Sequence, residues 1–314
     1  MPTMVHRSGA FATICSVALS VAPLPSSAAF QTATPTAQDQ DDAPNVEALR
    51  QAAEGGDAEA QFFLAVAYIN GQGVVEDDAE AVRWYRLAAD QGYAEAQSAM
   101  GAVYFAGRGV GQDDAEAVRW YRLAADQGLA NGQNFVGFAY DTGRGVVQDD
   151  DEAVRWYRLA ADQGYAEAQS AMGAMYLAGR GVGQDDTEAV RWYRLAADQG
   201  LANGQLFVGF TYDNGRGVVQ DHAEAVHWYR LAADQGDAYA QFNLGLSYAR
   251  GQGVTQDNVV AYMWLNLATA QQSGEDSENS AEVRDLVADG MTSEQIAEAQ
   301  RRAREWKPSP QPQP

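Results

Sequence analysis

Carboxylates are the most abundant side chains with chemical potential in this sequence. Asp77, Asp113, Asp149, Asp185 and Asp221 each precede a glutamate by three residues, and Asp149-Asp150-Asp151 is the densest run. Such a run could hold calcium, but it lacks the alternating ligands and closing bidentate glutamate of a calcium loop. Asp-x-x-Glu is instead the pattern of a capping box at a helix start. Asp257 keeps the cap, with Val260 in place of the glutamate. His222 and His227 are candidates for metal or acid–base work. They stand where Asp150 and Arg155 stand in the sister unit, and positions that accept an acid or an arginine are solvated faces. Trp and Tyr stripes could stack on sugars, but their helical spacing and strict period fit a core between repeats. Gly107-x-Gly109 follows no strand, so it reads as a turn and not a phosphate loop. A catalytic centre needs unusual polar residues converging at a cleft. Nearly every polar residue recurs unit after unit with a structural role in each, so the expectation is a non-enzyme with no catalytic residue, metal or cofactor.

The period positions all of them. Tryptophan recurs at Trp84, Trp120, Trp156, Trp192, Trp228 and Trp264, always 36 apart, giving units 57–92, 93–128, 129–164, 165–200, 201–236 and 237–272. A 72-residue period lies on top. Unit 165–200 differs from 93–128 only at Met175, Leu177 and Thr187, which replace Val103, Phe105 and Ala115. Within a unit, Ala96, Met100 and Tyr104 mark a first helix. Gly107-Arg108-Gly109-Val110 ends it. Asp113 opens a second helix that buries Ala117, Trp120, Tyr121 and Ala124. Glu116 with Arg119, and Arg122 with Asp126, are spaced for surface ion pairs. One helix pair cannot bury its own apolar face but stacked pairs can, which predicts an all-α superhelical solenoid.

The pattern Ala-x-x-x-Met-Gly-x-x-Tyr-x-x-Gly-x-Gly-Val over 96–110, then Ala-x-x-Trp-Tyr-x-x-Ala-Ala-x-x-Gly over 117–128, resembles the Sel1-like repeat, a relative of the tetratricopeptide repeat. The resemblance covers residues 57–272 and implies a right-handed α-solenoid of stacked antiparallel helix pairs. It also implies a protein-binding scaffold or adaptor of the bacterial envelope, in assembly, signalling or host contact. A structural organiser of envelope polysaccharide export or wall biogenesis is the alternative. Some cysteine-rich relatives are linked to β-lactam hydrolysis, but this chain has no cysteine pair and no Ser-x-x-Lys, so that role does not carry over.

The flanks extend the scheme. Residues 1–29 combine Arg7, an apolar stretch from Gly9 to Leu24, and Ser27-Ala28-Ala29, the layout of a signal peptide. A periplasmic or secreted protein is expected, cleaved near Ala29 and not inserted in the membrane afterwards. Cys15, the sole cysteine, lies in that leader, so no disulfide is expected. Residues 30–44 read as a linker and 45–56 as an N-terminal capping helix. Residues 273–307 read as capping helices, Ala281 to Ala288 and Ser293 to Trp306 after a Ser-Gly-Glu-Asp-Ser loop. Residues 308–314 read as a disordered proline-rich tail. Met291 to Gln300 resembles an element often attached to Sel1-like arrays. The net charge of −22 disfavours nucleic acid and anionic lipid and leaves a protein or peptide as the expected ligand.

The face of the first helix opposite Ala96, Met100 and Tyr104 carries a largely apolar ladder. Its rungs are Phe62, Val66 and Ile69; Ser98, Ala102 and Phe105; Asn134, Phe138 and Asp141. They continue as Ser170, Ala174 and Leu177; Leu206, Phe210 and Asp213; and Phe242, Leu246 and Ala249. Two readings stand: a concave groove for a peptide or helix, with Phe138 and Phe210 foremost, or packing between successive first helices.

Overall fold

The computed structural model describes residues 46–309. The leader, the linker with Asn45, and residues 310–314 of the tail lie outside the described residues. Helices and turns, with no strand, make up the described residues. Helix α1 (Val46–Glu54) precedes six pairs: α2 (Ala58–Asn70) with α3 (Asp78–Asp90), α4 (Ala94–Ala106) with α5 (Asp114–Asp126), and α6 (Ala130–Thr142) with α7 (Asp150–Asp162). Then come α8 (Ala166–Ala178) with α9 (Asp186–Asp198), α10 (Ala202–Asn214) with α11 (His222–Asp234), and α12 (Ala238–Arg250) with α13 (Asn258–Gln271). Two further helices follow, α14 (Gly274–Ala288) and α15 (Ser293–Glu305). The residues divide into two compact units, the first to residue 168 with 180–182, the second 169–179 with 183 onward.

Each second helix starts where the sequence places it. The Asp113 carboxylate accepts the backbone N–H groups of Ala115 and Glu116, both at 3.0 Å. The capping box is not completed, however. The Asp113 N–H already donates to the Tyr104 carbonyl at 3.0 Å, which leaves Glu116 no backbone donor to reach for. Glu116 pairs with Arg119 at 2.6 Å instead. Arg122 also departs from expectation: it donates to the Tyr140 hydroxyl at 2.6 Å and not to Asp126, tying α5 to the first helix of the next repeat. Arg50 of α1 holds Tyr68 in the same 18-residue relation, so α1 occupies the place of a second helix.

Trp120, Tyr121, Ala117 and Ala124 are buried as the stripe requires. Tyr157 lies over Gly137, where an added Cβ would come within 2.7 Å of the ring, so the helix backbone itself forms the packing surface. The loop glycines serve a different contact. Gly145 has φ +73, and a Cβ there would collide with the Asp114 carbonyl of the preceding repeat.

The segment after Gln271 departs from its reading as a loop. Helix α14 begins at Gly274, seven residues before Ala281. The reason is register: Ser277 stands 36 residues after Gln241, and its Oγ donates to the Thr269 carbonyl at 3.1 Å. Gln241 makes the same eight-residue bond to Ala233. Thr292 and Gln295 close both bonds of a capping box at α15.

Candidate interaction surface

The ladder divides by burial. In the first unit Phe62, Val66 and Phe105 are half-buried, whereas Ile69, Phe138 and Asp141 are buried. Phe138 is 7% exposed and meets Phe105 edge to face at 6.1 Å. Phe62 lies 5.5 Å from Tyr93 and 5.6 Å from Tyr85. In the second unit Leu177 and Leu206 are buried, and Phe210, Asp213, Phe242 and Leu246 are half-buried. Packing between neighbouring helices therefore engages the buried rungs, and the half-buried ones retain a solvent-facing side.

The two acids of the ladder have different partners. Asp141 is enclosed, its side chain 1% exposed, and Arg180 bridges it to Asp150. Burial raises the Asp141 carboxyl above the ordinary carboxylate range; the Arg180 cation opposes that, and the Tyr157 hydroxyl donates at 3.4 Å. Seventy-two residues on, Gln252 replaces Arg180 and His222 replaces Asp150. There the His222 Nδ1 lies 2.7 Å from Asp213 Oδ1, so the nitrogen partner has moved from the loop to the helix start. His222 thus meets Asp213 within a repeat in which no arginine takes that role. No group of three or more His, Cys, Asp or Glu side chains that could hold a metal ion is present among the described residues.

Sequence reasoning missed a glutamine ladder. Gln61, Gln97, Gln133, Gln169, Gln205 and Gln241 are all buried. Gln97 donates to the Ala89 carbonyl of the preceding repeat at 3.2 Å and accepts from Gln127 of its own repeat at 2.7 Å. The Gln127 amide also reaches the Gly92 carbonyl at 2.9 Å. The 36-residue recurrence of both glutamines was the available signal. Their polarity concealed it, because glutamine is ordinarily a surface residue.

Stacked helix pairs without strands, joined by recurrent side-chain ties, define an all-α solenoid-type repeat protein. The Sel1 repeat model matches residues 58–93, 94–129, 130–165, 166–201, 202–237 and 238–273, and the chain belongs to the Sel1 repeat family. A solved Sel1 repeat protein from Oxalobacter formigenes is 31% identical, with TM-score 0.68, over 76% of this chain and 95% of that one. The structure of c5321, a protective antigen of uropathogenic Escherichia coli with an SLR fold, is 37% identical with TM-score 0.70. That match covers 83% of this chain and spans 56% of the antigen's length. Among curated proteins none matches the chain. Sel1 repeat proteins generally mediate protein–protein interaction and are typically non-catalytic scaffolds. No helix among the described residues is long and apolar enough to cross a membrane.

Proposed function

We propose that this chain is an exported, non-catalytic adaptor of a bacterial envelope that binds a peptide or helix along its first helices. The contrast between framework and ladder carries this reading. Trp, Tyr, both glutamines and the capping aspartate repeat unit after unit, while the ladder changes from Ser98-Ala102-Phe105 to Asn134-Phe138-Asp141 and Leu206-Phe210-Asp213. Residues spent on the fold are constant, and the varied positions include half-buried aromatics able to anchor a ligand. Phe210 and Phe242 support the reading best, since both keep a solvent-facing side whereas Phe138 does not.

The test is a photoreactive amino acid at position 210 of the full chain, irradiated in the presence of envelope extract. A discrete adduct that disappears when Leu246 is changed to Asp supports the groove. Adducts indifferent to that change, or equally abundant from position 195 on the second-helix surface, would refute it. Export is tested separately: the recovered protein should begin near Ala29 or Phe30, and an intact Met1 on a cytosolic protein would contradict it.

A further inference from the structure

The chain after α15 does not leave the fold. Trp306 is extended (φ −63, ψ 141), and the following residues turn back toward the end of α11. The Ser309 N–H donates to the Asp234 carbonyl at 2.7 Å. Pro308 and the Trp306 ring both lie within 4 Å of the Cβ position at Gly236. The Trp306 ring also meets Trp264 edge to face, centroids 6.0 Å apart.

This seat belongs to the last repeat alone. Arg83, Arg119, Arg155 and Arg191 lie over Trp84, Trp120, Trp156 and Trp192 at 4.2 to 4.7 Å. His227 packs edge-on to Trp228. The corresponding residue before Trp264 is Met263, which carries no cation. An indole face is electron-rich and takes either a cation or the edge of another ring. Trp264 thus has an edge-to-face contact with Trp306, where four other repeats have an arginine over the ring.

The end of α11 is also more enclosed than the corresponding ends of the earlier second helices. Asp90, Asp126, Asp162 and Asp198 are exposed, whereas Asp234 is half-buried. Gln235 Oε1 is buried without a hydrogen-bond partner, an unfavourable arrangement.

We propose that the end of α11 together with Trp264 is a peptide site for an extended aromatic-x-Pro-Ser segment, occupied in cis by residues 306–309. A tethered segment acts at an effective concentration on the order of millimolar, so an outside ligand competes only once the tether's own aromatic is removed. The site is separate from the first-helix ladder, and neither reading depends on the other.

A synthetic peptide with the sequence of residues 304–314 is titrated into the full-length chain and its Trp306→Ala variant. The peptide should bind the variant at least ten-fold more tightly than the wild-type chain. Adding Met263→Arg restores over Trp264 the cation present in four other repeats. That arrangement is compatible with the fold, and it should abolish the gain. Equal binding to wild type and Trp306→Ala, no binding to either, or binding that survives Met263→Arg would each overturn the proposal. Crosslinking from position 210 is unaffected by any of these outcomes.

Discussion

Asp141 illustrates what one substitution does inside an otherwise constant framework. Its counterparts are Ile69, Phe105, Leu177 and Ala249, with an acid again at Asp213, so the position is mostly apolar, and Arg180 makes the buried carboxylate tolerable at 141. Arg180→Ala should therefore cost about 3 kcal/mol at neutral pH, by leaving a buried charge unpaired. Adding Asp141→Leu should recover most of that loss in urea unfolding, and a double variant no more stable than the single would contradict the pairing. Asp237 supplies a pH-dependent case. Burial pushes its carboxyl up to about 6, against the N–H groups of Ala240 and Tyr239, which favour the ionised form. The folded value lies above the unfolded one of about 4, so the protonated form is the one folding favours. Its stability contribution is complete below about pH 4 and is lost as pH rises through about 6. Asp237→Asn should thus melt higher than wild type at pH 8 and converge with it near pH 4.5; a difference independent of pH would refute this. The aspartate caps were legible in the sequence because cap and helix are neighbours. The glutamine ties and the Arg180 bridge join residues 30 or more apart, and nothing local reveals them.

At the scale of the helix pair, the aromatic period was legible for a physical reason: burying a tryptophan and a tyrosine every 36 residues admits few alternatives to stacked repeats. The last pair was only partly legible. In α14 the tie residue shrinks from glutamine to Ser277, and in α15 the buried stripe shrinks to Ala299 and Ala303, so the aromatic signal is missing while the register persists. Glycines divide by the same logic of close approach. Gly137→Ala would drive a Cβ into the Tyr157 ring and should cost about 1–3 kcal/mol by overpacking. Gly111→Val faces open space, at a position where Val75, Val147 and Val219 stand in other units. It should change stability by less than about 0.5 kcal/mol. Chemical denaturation of the two variants checks both values, and comparable losses would show that the tyrosine ring yields easily.

For the whole molecule, the repeats explain why no catalytic constellation was found in the sequence: a residue that recurs in successive units is serving the stack. The groove we propose concerns the positions that vary between units. The sequence could not separate groove from packing, because both require apolar residues on one helix face. In the structure Phe138 is enclosed, whereas Phe210 and Phe242 are half-buried. The two sister positions offer substitutions this framework already contains. Alanine stands at 102 and 174 where Phe210 stands, and serine at 98 and 170 where Phe242 stands. The decisive measurement is partner affinity alongside thermal midpoint for the double variant Phe210→Ala with Phe242→Ser, using the protein captured from position 210. The account predicts at least a ten-fold loss of affinity with the midpoint lowered by no more than a few degrees. Unchanged affinity, or affinity and midpoint falling together, would contradict it and assign both phenylalanines to the packing between repeats.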